Sequence, residues 1–333
     1  MSARKPAEPA RGEPQASEVG RKALVTGGAG FIGSHLVESL VAEGWRVRVL
    51  DDFSSGRPAN LTAVAEAIEL VRGDVRDEDV AARAVAGVEV VFHQAAVPSV
   101  PRSLARPVHT NAVNVEGTLC VLAASRQAGV RRLVYAGSAA VHGDLPAGAV
   151  VESTPAAPRS PYALQKHTGE LYCRLYAELF GLETISLRYF NVYGPRQDPH
   201  GDYAAVIPRF VADCLAGVSP RVHGDGEQTR DFVYVADVAR ANRLAADAAI
   251  PAGAVCNVGS GRATRVLDLL AEIERQTGRG RAPVHEPPRA GDGGRGHASL
   301  AYAGELLGYT PGVSLEEGLR LTIAYFEKEV VNP

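Results

Sequence analysis

The sequence predicts an α/β fold, namely a doubly wound parallel sheet joined to a smaller, mixed C-terminal domain. Two observations support this prediction. Up to residue 190, short β-branched apolar runs alternate with amphipathic stretches of helical spacing, which is typical of a parallel sheet covered by helices on both faces. After residue 190, loops rich in Pro, Gly and Asp separate several helices and few strands, which indicates a smaller capping domain.

Six apolar runs are expected to form strands, and the stretches between them have helical periods. After the first run, apolar residues from Leu36 to Val41 recur at helical spacing until Gly44 ends the helix. Two longer helices are expected to end at Gly129 and Gly181 in the same way. The expected strands are 22–27, 46–51, 68–74, 88–96, 131–138 and 182–190, and the longer helices are 108–129 and 161–180.

Composition argues against several classes of protein. The chain has 333 residues, of which 46% are hydrophobic, and a net charge of −3 without any basic block, so a large core is expected and a nucleic-acid partner is not. No apolar run is long enough to span a membrane. Residues 1–20 are rich in Pro, Ala, Glu and Arg, so we expect a disordered tail and a cytoplasmic protein. Neither a metal site nor a disulfide is expected, because the cysteines lie far apart at Cys120, Cys173, Cys214 and Cys256.

Three glycines, Gly27, Gly30 and Gly33, stand three residues apart between the first expected strand and the first expected helix. At such a junction, backbone amides and the helix N-terminus can face a phosphate group. The alternative is a simple tight turn, but the position between strand and helix favours a loop that holds the pyrophosphate of a dinucleotide. The sequence therefore predicts a Rossmann-type dinucleotide-binding domain.

Acidic residues at the ends of the next two strands indicate which dinucleotide is bound. Asp51 ends the second strand, where a carboxylate can accept hydrogen bonds from both ribose hydroxyls of NAD. Together with Asp52 it would repel the 2′-phosphate of NADP. Asp74, after the third strand, is a candidate partner for the adenine. We therefore expect NAD as the cofactor.

A tyrosine and a lysine are the candidates for catalysis. Tyr162 and Lys166 lie one helical turn apart, on the same face of an expected helix, and Ser138 ends the fifth expected strand. A tyrosine acts as a base near neutral pH only if its pKa falls from about 10, and a nearby ammonium and an oxidised nicotinamide would both lower it. An exposed Tyr–Lys pair beside an ordinary turn is the alternative interpretation, which the NAD loop disfavours.

Six motifs in order resemble the extended short-chain dehydrogenase/reductase family, and within it the branch of UDP-sugar 4-epimerases. The resemblance runs from about residue 22 to the C-terminus, and the motifs are TGGAGFIGSHL, YAGSAAVHG, SPYALQK, LRYFNVYGPRQDP, GDGEQTRDFVYVADVARA and NVGSG. It implies an isomerase in which Tyr162 takes the proton of the sugar 4-hydroxyl while C4 gives a hydride to NAD. The 4-keto sugar then turns in the pocket and receives the hydride on its other face.

The resemblance also implies a division of the chain and a set of site residues. Residues 21–190 would form the NAD-binding domain and 191–333 the nucleotide-sugar-binding domain, with the chain interleaving between them. Ser138, Tyr162 and Lys166 would be catalytic, and Asn114 would support the active-site helix. The residues expected to bind NAD are Gly27, Gly30, Phe31, Ile32, Gly33, Asp51, Asp52, Phe53, Ser54, Ser55, Gly56, Asp74, Val75, Gln94, Ala95, Ala96, Asn114, Tyr162, Lys166 and Tyr189. The residues expected to bind the substrate are Ser99, Ser138, Tyr162, Asn191, Ala205, Val206, Arg221, Val222, His223, Arg230, Arg289, Asp292 and Ser299.

Departures from the family pattern leave the sugar open. The family usually has Tyr at the position of His142, and Ser or Thr at the positions of Gly137, Ala139 and Ala140, all of which would line the sugar pocket. Ser299 occupies the position that resembles the size-limiting residue of that pocket, so its small side chain would leave room for an N-acetyl group. UDP-N-acetylglucosamine with its C4 epimer, and UDP-glucose with its C4 epimer, both remain open as substrate pairs.

The same residues bear on three alternative functions. A nucleotide-sugar 4,6-dehydratase would need acidic residues where Ala139 and Ala140 stand. A UDP-glucuronate 4-epimerase or decarboxylase stays open because Arg196 could meet a carboxylate, although decarboxylase relatives carry a Glu near the alanine pair. A non-catalytic NAD sensor would have no use for Ser138 and Tyr162.

A homodimer is expected, because relatives commonly pair through the two long helices, here about 104–128 and 161–180. The apolar residues of these helices could serve such an interface or simply face the sheet. They are Val113, Val121, Leu122, Leu171, Leu175 and Leu179.

Overall fold

The computed structural model of the chain describes residues 20–145, 147–199, 204–288 and 295–331. The expected tail therefore lies outside the described residues, except for Gly20. The strands are β1 (Lys22–Thr26), β2 (Arg46–Asp51), β3 (Ile68–Arg72), β4 (Val90–His93), β5 (Arg132–Ser138), β6 (Gly148–Val150), β7 (Glu183–Tyr189), β8 (Asn191–Tyr193), β9 (Arg221–His223), β10 (Thr229–Arg230), β11 (Phe232–Tyr234), β12 (Ala254–Val258), β13 (Thr264–Arg265), β14 (Val284–Glu286) and β15 (Gly296–Ala298). The α-helices are α1 (Phe31–Ala42), α2 (Glu78–Val85), α3 (Val100–Ala105), α4 (Pro107–Asn111), α5 (Gly117–Gln127), α6 (Pro161–Phe180), α7 (Val206–Ala216), α8 (Val235–Asp247), α9 (Val266–Thr277), α10 (Ala301–Leu307) and α11 (Leu315–Val331).

The centre of the fold is a seven-stranded parallel sheet in the order β12-β7-β5-β4-β1-β2-β3. Its inner strands are continuous apolar runs, such as β1 and β4, because helices cover both faces of a parallel sheet. Strand order reverses at β1, which pairs with β2 on one side and with β4 on the other. A crevice opens at the carboxyl ends of strands at such a reversal, and the three-glycine loop lies there.

Helices cover the sheet in two layers. On one face α1 packs against α8, and on the other α2, α5 and α6 pack together. Each layer buries its own apolar core, with Leu36 and Val49 in one and Val91 and Leu133 in the other. Among the residues that the structure describes, no helix combines the length and the apolar character needed to cross a bilayer.

The chain returns to the sheet after residue 190. The strand β12 pairs in parallel with β7 and extends the sheet by one strand, and α8 covers that face. A single cut at residue 190 therefore does not separate two units. A third core, formed around Phe210, Leu269 and Leu319 from α7, α9 and α11, lies outside the sheet and supports the C-terminal portion.

Of the two long helices expected from the sequence, one has the expected bounds and the other is divided. The helix α6 has the expected bounds, because Ser160 caps its first turn and Gly181 ends it in the left-handed conformation. The expected helix 108–129 is instead divided into α4, a π-helical turn over 112–116 and α5. Single π-turns inside helices are frequent at functional sites, and this one carries Asn114.

The structure distinguishes the two sets of apolar residues that could form a dimer interface. Val121 and Leu122 are fully buried in the core beneath the sheet, so they face the sheet. Leu175 and Leu179 on α6 are 43% and 66% exposed. An apolar surface therefore remains on the outer side of α6.

Candidate active site

The glycine loop has the geometry of a close backbone approach. Gly27 has a φ of 67°, and a Cβ at this position would lie 2.7 Å from the backbone nitrogen of Ala95. A Cβ on Gly33 would collide with the carbonyl oxygen of Gly27, and Gly30 is the N-cap of α1. Side chains would fill this cradle, so the loop keeps backbone amides and the helix N-terminus open toward the crevice. The cradle fits a pyrophosphate.

Asp51 fixes the loop to the next strand. Its carboxylate, in a residue 6% exposed, accepts hydrogen bonds from the backbone nitrogens of Ala29 at 2.9 Å and Phe53 at 2.8 Å. Burial raises the pKa of Asp51, and the two hydrogen bonds oppose that rise. Each carboxylate oxygen still has a lone pair for a ribose hydroxyl. Asp52 is exposed beside it and accepts from the nitrogen of Ser54 at 2.9 Å.

Asp74 lines the same crevice but already has a partner. Arg76 contacts its carboxylate at 2.5 Å and also donates its backbone N–H at 2.9 Å. The hydrogen bond from the Arg76 side chain lowers the pKa of Asp74. An adenine at this position would therefore meet an ion pair rather than an isolated carboxylate.

Most residues predicted to bind NAD line one cleft, called here the first cleft. Phe53, Gly56 and Asn114 are the predicted residues that do not line it, and Phe53 has a φ of 59°. The predicted residues that line it are Gly27, Gly30, Phe31, Ile32, Gly33, Asp51, Asp52, Ser54, Ser55, Asp74, Val75, Gln94, Ala95, Ala96, Tyr162, Lys166 and Tyr189. Gly137, expected at the sugar pocket, also lines it, and the lining residues that the sequence did not indicate are Leu50, Gly73, Val97, Pro98, Val113 and Ala136.

The predicted base and its lysine lie at the inner end of the first cleft. The ammonium of Lys166, 4% exposed, donates to the carbonyl oxygen of Ala136 at 2.9 Å and lies 5.0 Å from the ring centroid of Tyr135. Burial lowers the pKa of Lys166 to about 8. Tyr162 is half-buried, and Ser138 ends β5 beside it.

The pKa of Tyr162 differs from the expectation. Burial raises it, and the neighbour that lowers it is Ser138 through a hydrogen bond. The expected lowering by Lys166 is absent among the described interactions of Tyr162, because the ammonium is directed to the Ala136 carbonyl and the Tyr135 ring. The side chains of this site alone therefore do not make Tyr162 a base at neutral pH.

Asn114 connects the wall of the first cleft to α6. Its Oδ1 accepts from the backbone nitrogen of Val97 at 2.7 Å, and its Nδ2 donates to Oε1 of Gln165 at 2.8 Å. The residue is 1% exposed, and its described hydrogen bond to α6 is the one with Gln165. Through these two hydrogen bonds Asn114 would support α6, which is the role that the resemblance implies for it.

A polar cluster that the sequence did not indicate borders the first cleft. The hydroxyl of Tyr189 and the amide of Gln94 both hydrogen-bond Asn242 of α8, at 3.1 Å each. Burial raises the pKa of Tyr189 to about 12, so its hydroxyl stays protonated. Asn242 of the C-terminal portion thus holds two wall residues of the first cleft, Gln94 and Tyr189, in place.

A second cleft lies in the C-terminal portion, between β8, α7 and the strands β9 to β11. The predicted residues that line it are Asn191, Ala205, Val206, Arg221, Val222, His223 and Arg230. Ile207, part of the stretch 205–208 that the resemblance places against the nucleotide, lines it too. Lining residues that the sequence did not indicate are Val192, Tyr193, Gln197, Ala204, Arg209, Phe210, Gln228, Phe232 and Val266. Arg289 and Asp292 lie outside the described residues.

Ser138, a predicted catalytic and substrate-binding residue, lines neither cleft. Two further predicted substrate-binding residues, Ser99 and Ser299, lie outside the second cleft. The hydroxyl of Ser99 accepts from the nitrogen of Arg102 at 3.2 Å and caps α3. Ser299 follows β15, and its backbone nitrogen donates to the carbonyl of Val150 at 2.9 Å. Neither lines the first cleft either.

The second cleft is cationic. Arg209, Arg221 and Arg230 come from three separate elements and converge on it, and the guanidinium of Arg221 contacts Glu286 at 3.3 Å. Guanidinium groups bind phosphate oxygens in bidentate geometry.

Among the described residues, no group of His, Cys, Asp and Glu side chains could hold a metal ion.

A buried carboxylate that the sequence analysis missed stabilises this region. Asp231 is fully buried, and it accepts hydrogen bonds from the backbone nitrogens of Ser260 at 2.7 Å, Gly261 at 3.0 Å and Ala298 at 2.9 Å. It therefore ties β12 and β15 to the strand that carries Arg230. Because the backbone N–H groups that donate to Asp231 lie 29 to 67 residues away in the chain, the sequence carries no local signal of this role.

Two residues that bear on the substrate lie away from both clefts. Arg196 has a φ of 68° and forms an ion pair with Glu38 of α1, so it does not present a free cation to a sugar carboxylate as the sequence analysis allowed. His142 is buried and accepts from the guanidinium of Arg188 at 3.3 Å. His142 lines neither cleft, so the structure does not place it in a sugar pocket.

The glycine cradle, the ribose-side Asp51 and the Ser138, Tyr162 and Lys166 group define an NAD-dependent enzyme on a doubly wound sheet. Comparison with known proteins agrees. Residues 23–259 match the model of the NAD dependent epimerase/dehydratase family. The chain belongs to this family, and the predicted family, α/β fold and NAD cofactor are confirmed.

Individual relatives resemble the chain over nearly its whole length. It is 42% identical over 312 residues to a UDP-glucose 4-epimerase of Mycolicibacterium smegmatis, covering 92% of this chain and 99% of the relative. The solved UDP-glucose 4-epimerase of Thermotoga maritima, bound to UDP-glucose, is 39% identical with a TM-score of 0.88, covering 93% and 99% of the two chains. The UDP-N-acetylglucosamine 4-epimerase of Methanobrevibacter ruminantium, bound to UDP-N-acetylmuramic acid, is 36% identical with a TM-score of 0.89 and the same coverage.

Proposed function

We propose that this protein is an NAD-dependent isomerase that interconverts UDP-hexoses differing at C4, through a transient 4-keto sugar. The observation that carries the proposal is that residues two positions apart in the chain line the two clefts. Tyr189 lines the first cleft with Tyr162 and Lys166, and Asn191, two residues further on, lines the cationic second cleft. A nucleotide sugar held by its diphosphate in the second cleft can thus present its hexose to Tyr162. Relatives named as UDP-sugar 4-epimerases support the same reaction.

The cofactor would lie along the first cleft. The amides of the glycine loop would bind the pyrophosphate, Asp51 the adenosine ribose, and Lys166 the nicotinamide ribose. When bound, NAD⁺ would supply the acceptor and later the donor of the C4 hydride, and its positive charge would lie near Tyr162. That charge opposes the rise in the pKa of Tyr162 that burial causes.

Tyr162 would move the proton. As a phenolate it takes the proton of the sugar 4-hydroxyl, and it gives the proton back when the opposite epimer forms. Ser138, whose hydrogen bond lowers the pKa of Tyr162, would hold the sugar O4 beside the phenol. The ammonium of Lys166 keeps its charge below a pH of about 8, the pKa that burial gives it.

The second cleft would hold the nucleotide. Arg209 and Arg230 supply cationic donors for the diphosphate, and Arg221 with Val222 and His223 would border the uracil. Arg289 and Asp292 stay predictions for the diphosphate and the uridine ribose. Fixing the nucleotide while leaving the hexose free to turn is what inversion at C4 requires.

Two features of the chain argue for epimerisation over the alternatives. The position after Ser138 carries Ala139 and Ala140 in a 3-10 turn, so no acid stands there to move a C5 proton as dehydration would require. The ion pair of Arg196 with Glu38 removes the cation that would select a glucuronate carboxylate. The proposal includes both plain and N-acetylated hexoses, because the similar proteins include a UDP-glucose 4-epimerase and a UDP-N-acetylglucosamine 4-epimerase.

We also propose a homodimer. Leu164, Leu175 and Leu179 leave an apolar surface on the outer side of α6, with exposed fractions of 54%, 43% and 66%. A second copy of the same surface would cover it. Sedimentation of the wild type and of Leu179→Glu tests this proposal, because one charge in each copy would separate the dimer.

The direct test of the reaction is turnover without added cofactor. Purified protein is incubated separately with UDP-glucose, UDP-galactose, UDP-N-acetylglucosamine, UDP-N-acetylgalactosamine and UDP-glucuronate, and the products are separated by anion-exchange chromatography. Interconversion of a C4-epimeric pair of neutral hexoses supports the proposal, and the relative rates identify the better pair. Turnover of UDP-glucuronate alone would overturn the substrate class. No turnover of any of the five, with NAD supplied, would overturn the reaction.

A further inference from the structure

We infer that four buried polar residues behind the first cleft position Tyr162 for proton transfer. Ser103, Thr110, Asn114 and Gln165 form what we call the α6 clamp, which joins the segment 97–114 to the beginning of α6. All four are at most 4% exposed. The inference rests on the proposed function only for its kinetic readout. None of the four reacts, so they are positioning residues.

The first contact of the α6 clamp holds the backbone of Tyr162 itself. The first amides of a helix have no partner within the helix, and that of Tyr162 donates to the hydroxyl of Ser103 at 3.1 Å. The Ser103 hydroxyl in turn donates to the carbonyl of Val100 at 2.6 Å, inside α3. Ser160 caps the next free amide, that of Ala163, at 3.1 Å. The start of α6 is thus fixed by a residue from another helix.

The second contact lies one turn further along α6, beside Lys166. The amide nitrogen of Gln165 donates to the hydroxyl of Thr110 at 3.0 Å, and its oxygen accepts from the amide of Asn114 at 2.8 Å. Asn114 also holds the backbone of Val97 in both directions, at 2.7 and 3.2 Å. Both amide side chains are satisfied at both ends, so rotation of either would leave a buried polar atom unpaired.

These contacts make the segment 97–114 and the first turns of α6 one body. Val97 and Pro98 at one end line the first cleft, and Tyr162 and Lys166 at the other end are the reacting side. A displacement of about 1 Å in a reacting group costs roughly 100-fold in rate. The α6 clamp therefore affects the chemical step more than the binding of substrate or cofactor.

The test compares two losses of a buried serine hydroxyl. Ser103→Ala removes the acceptor of the Tyr162 amide. Ser125→Ala is the matched control, because Ser125 is equally buried and donates to the carbonyl of Val121 within α5, without any described contact to either cleft. We expect Ser103→Ala to lower kcat on the order of 10- to 100-fold, with KM changed less than threefold and the NAD content unchanged. Ser125→Ala should keep kcat within twofold.

A second variant and a second measurement keep the inference independent of folding and of the reaction. Gln165→Met keeps the volume of the side chain and removes both of its hydrogen bonds, so the same split between kcat and KM is expected. Hydrogen exchange of the Tyr162 amide should accelerate at least tenfold in Ser103→Ala and stay unchanged in Ser125→Ala. If the wild type turns over no UDP-sugar, the proposed function fails while the exchange experiment still tests the α6 clamp. Unchanged exchange at Tyr162, or kcat values of Ser103→Ala and Gln165→Met within twofold of the control, would overturn the inference.

Discussion

The two clefts differ in how the chain builds them. The first cleft lies at the carboxyl ends of consecutive parallel strands, so Gly27, Asp51 and Asp74 follow β1, β2 and β3 in simple order. The second cleft collects Asn191 and Arg230 from two separate two-stranded ladders and Arg209 from a helix. A regular sheet brings functional groups together by a rule that can be stated in advance, whereas irregular structure does so through contacts specific to this chain.

The difference should also appear in the kinetics. The first cleft contains the groups that react, so its variants should change kcat, and the second cleft contains groups that hold the nucleotide, so its variants should change KM. Removal of the Tyr162 hydroxyl is expected to have the largest effect. Tyr162→Phe should lower kcat by a factor of roughly 10³ to 10⁴ with the NAD content retained, since the proton acceptor is lost. Epimer formation under saturating substrate measures it.

The matched control for that variant lies on the same helix. Tyr176 packs its ring on Phe180 at 5.0 Å and lines neither cleft, so Tyr176→Phe should keep the wild-type kcat. Equal losses in both variants would show that the phenol of Tyr162 has no chemical role and would break the comparison between the clefts.

The next effect is expected in the second cleft. Arg230→Met should raise KM for the UDP-sugar about 10- to 100-fold with kcat changed less than threefold, because a charge-assisted hydrogen bond contributes about 1.5 to 3 kcal/mol. Arg265→Met is the control, since Arg265 pairs with Asp268 and Glu227 on the exposed side of the neighbouring strand. Initial rates over a range of substrate concentrations separate the two constants. A fall in kcat at unchanged KM would place Arg230 with the reacting groups.

A smaller effect concerns the choice of cofactor. Asp51→Asn should weaken NAD binding about tenfold and narrow the preference for NAD over NADP, because it removes the buried charge nearest the ribose. Asp52→Asn, which removes the exposed neighbouring charge, should change NAD affinity less than threefold. Titration of the NAD-free protein with each dinucleotide measures both. Equal effects of the two variants would contradict the assignment of Asp51 to the ribose.

The smallest effect is on stability. Burial lowers the pKa of Lys166 to about 8 from an ordinary 10.5, so between these pH values the unfolded chain binds more protons and Lys166 makes stability rise with pH. In NAD-free protein, the stability of Lys166→Met relative to wild type should therefore fall by up to about 1.4 kcal/mol per pH unit from pH 8 to 10. Urea unfolding across this range measures it, and Lys22→Met corrects for the loss of a lysine elsewhere. If the difference in stability between Lys166→Met and wild type stayed constant from pH 8 to 10, the lowered pKa of Lys166 would be contradicted.

The same contrast explains what the sequence could predict. The bounds of α6 and the placement of Lys166 were predictable because Ser160, Gly181 and the helical period are local signals. The π-turn at Asn114 was not, since it depends on hydrogen bonds to Val97 and Gln165 that are distant in sequence. Arg209 and Asp231 were missed for the same reason. Arg196 was misplaced because its partner, Glu38, comes from a helix 158 residues earlier.

The most direct test of the central claim follows the hydrogen at C4. The NAD-containing protein is incubated with a UDP-hexose deuterated at C4, in ordinary water, and the product is analysed by mass spectrometry and NMR. The account predicts that the C4 epimer forms with its deuterium still at C4, because Tyr162 exchanges only the hydroxyl proton and the carbon-bound hydrogen never meets solvent. Product that has lost its deuterium to water, or inversion at another carbon, would contradict the account.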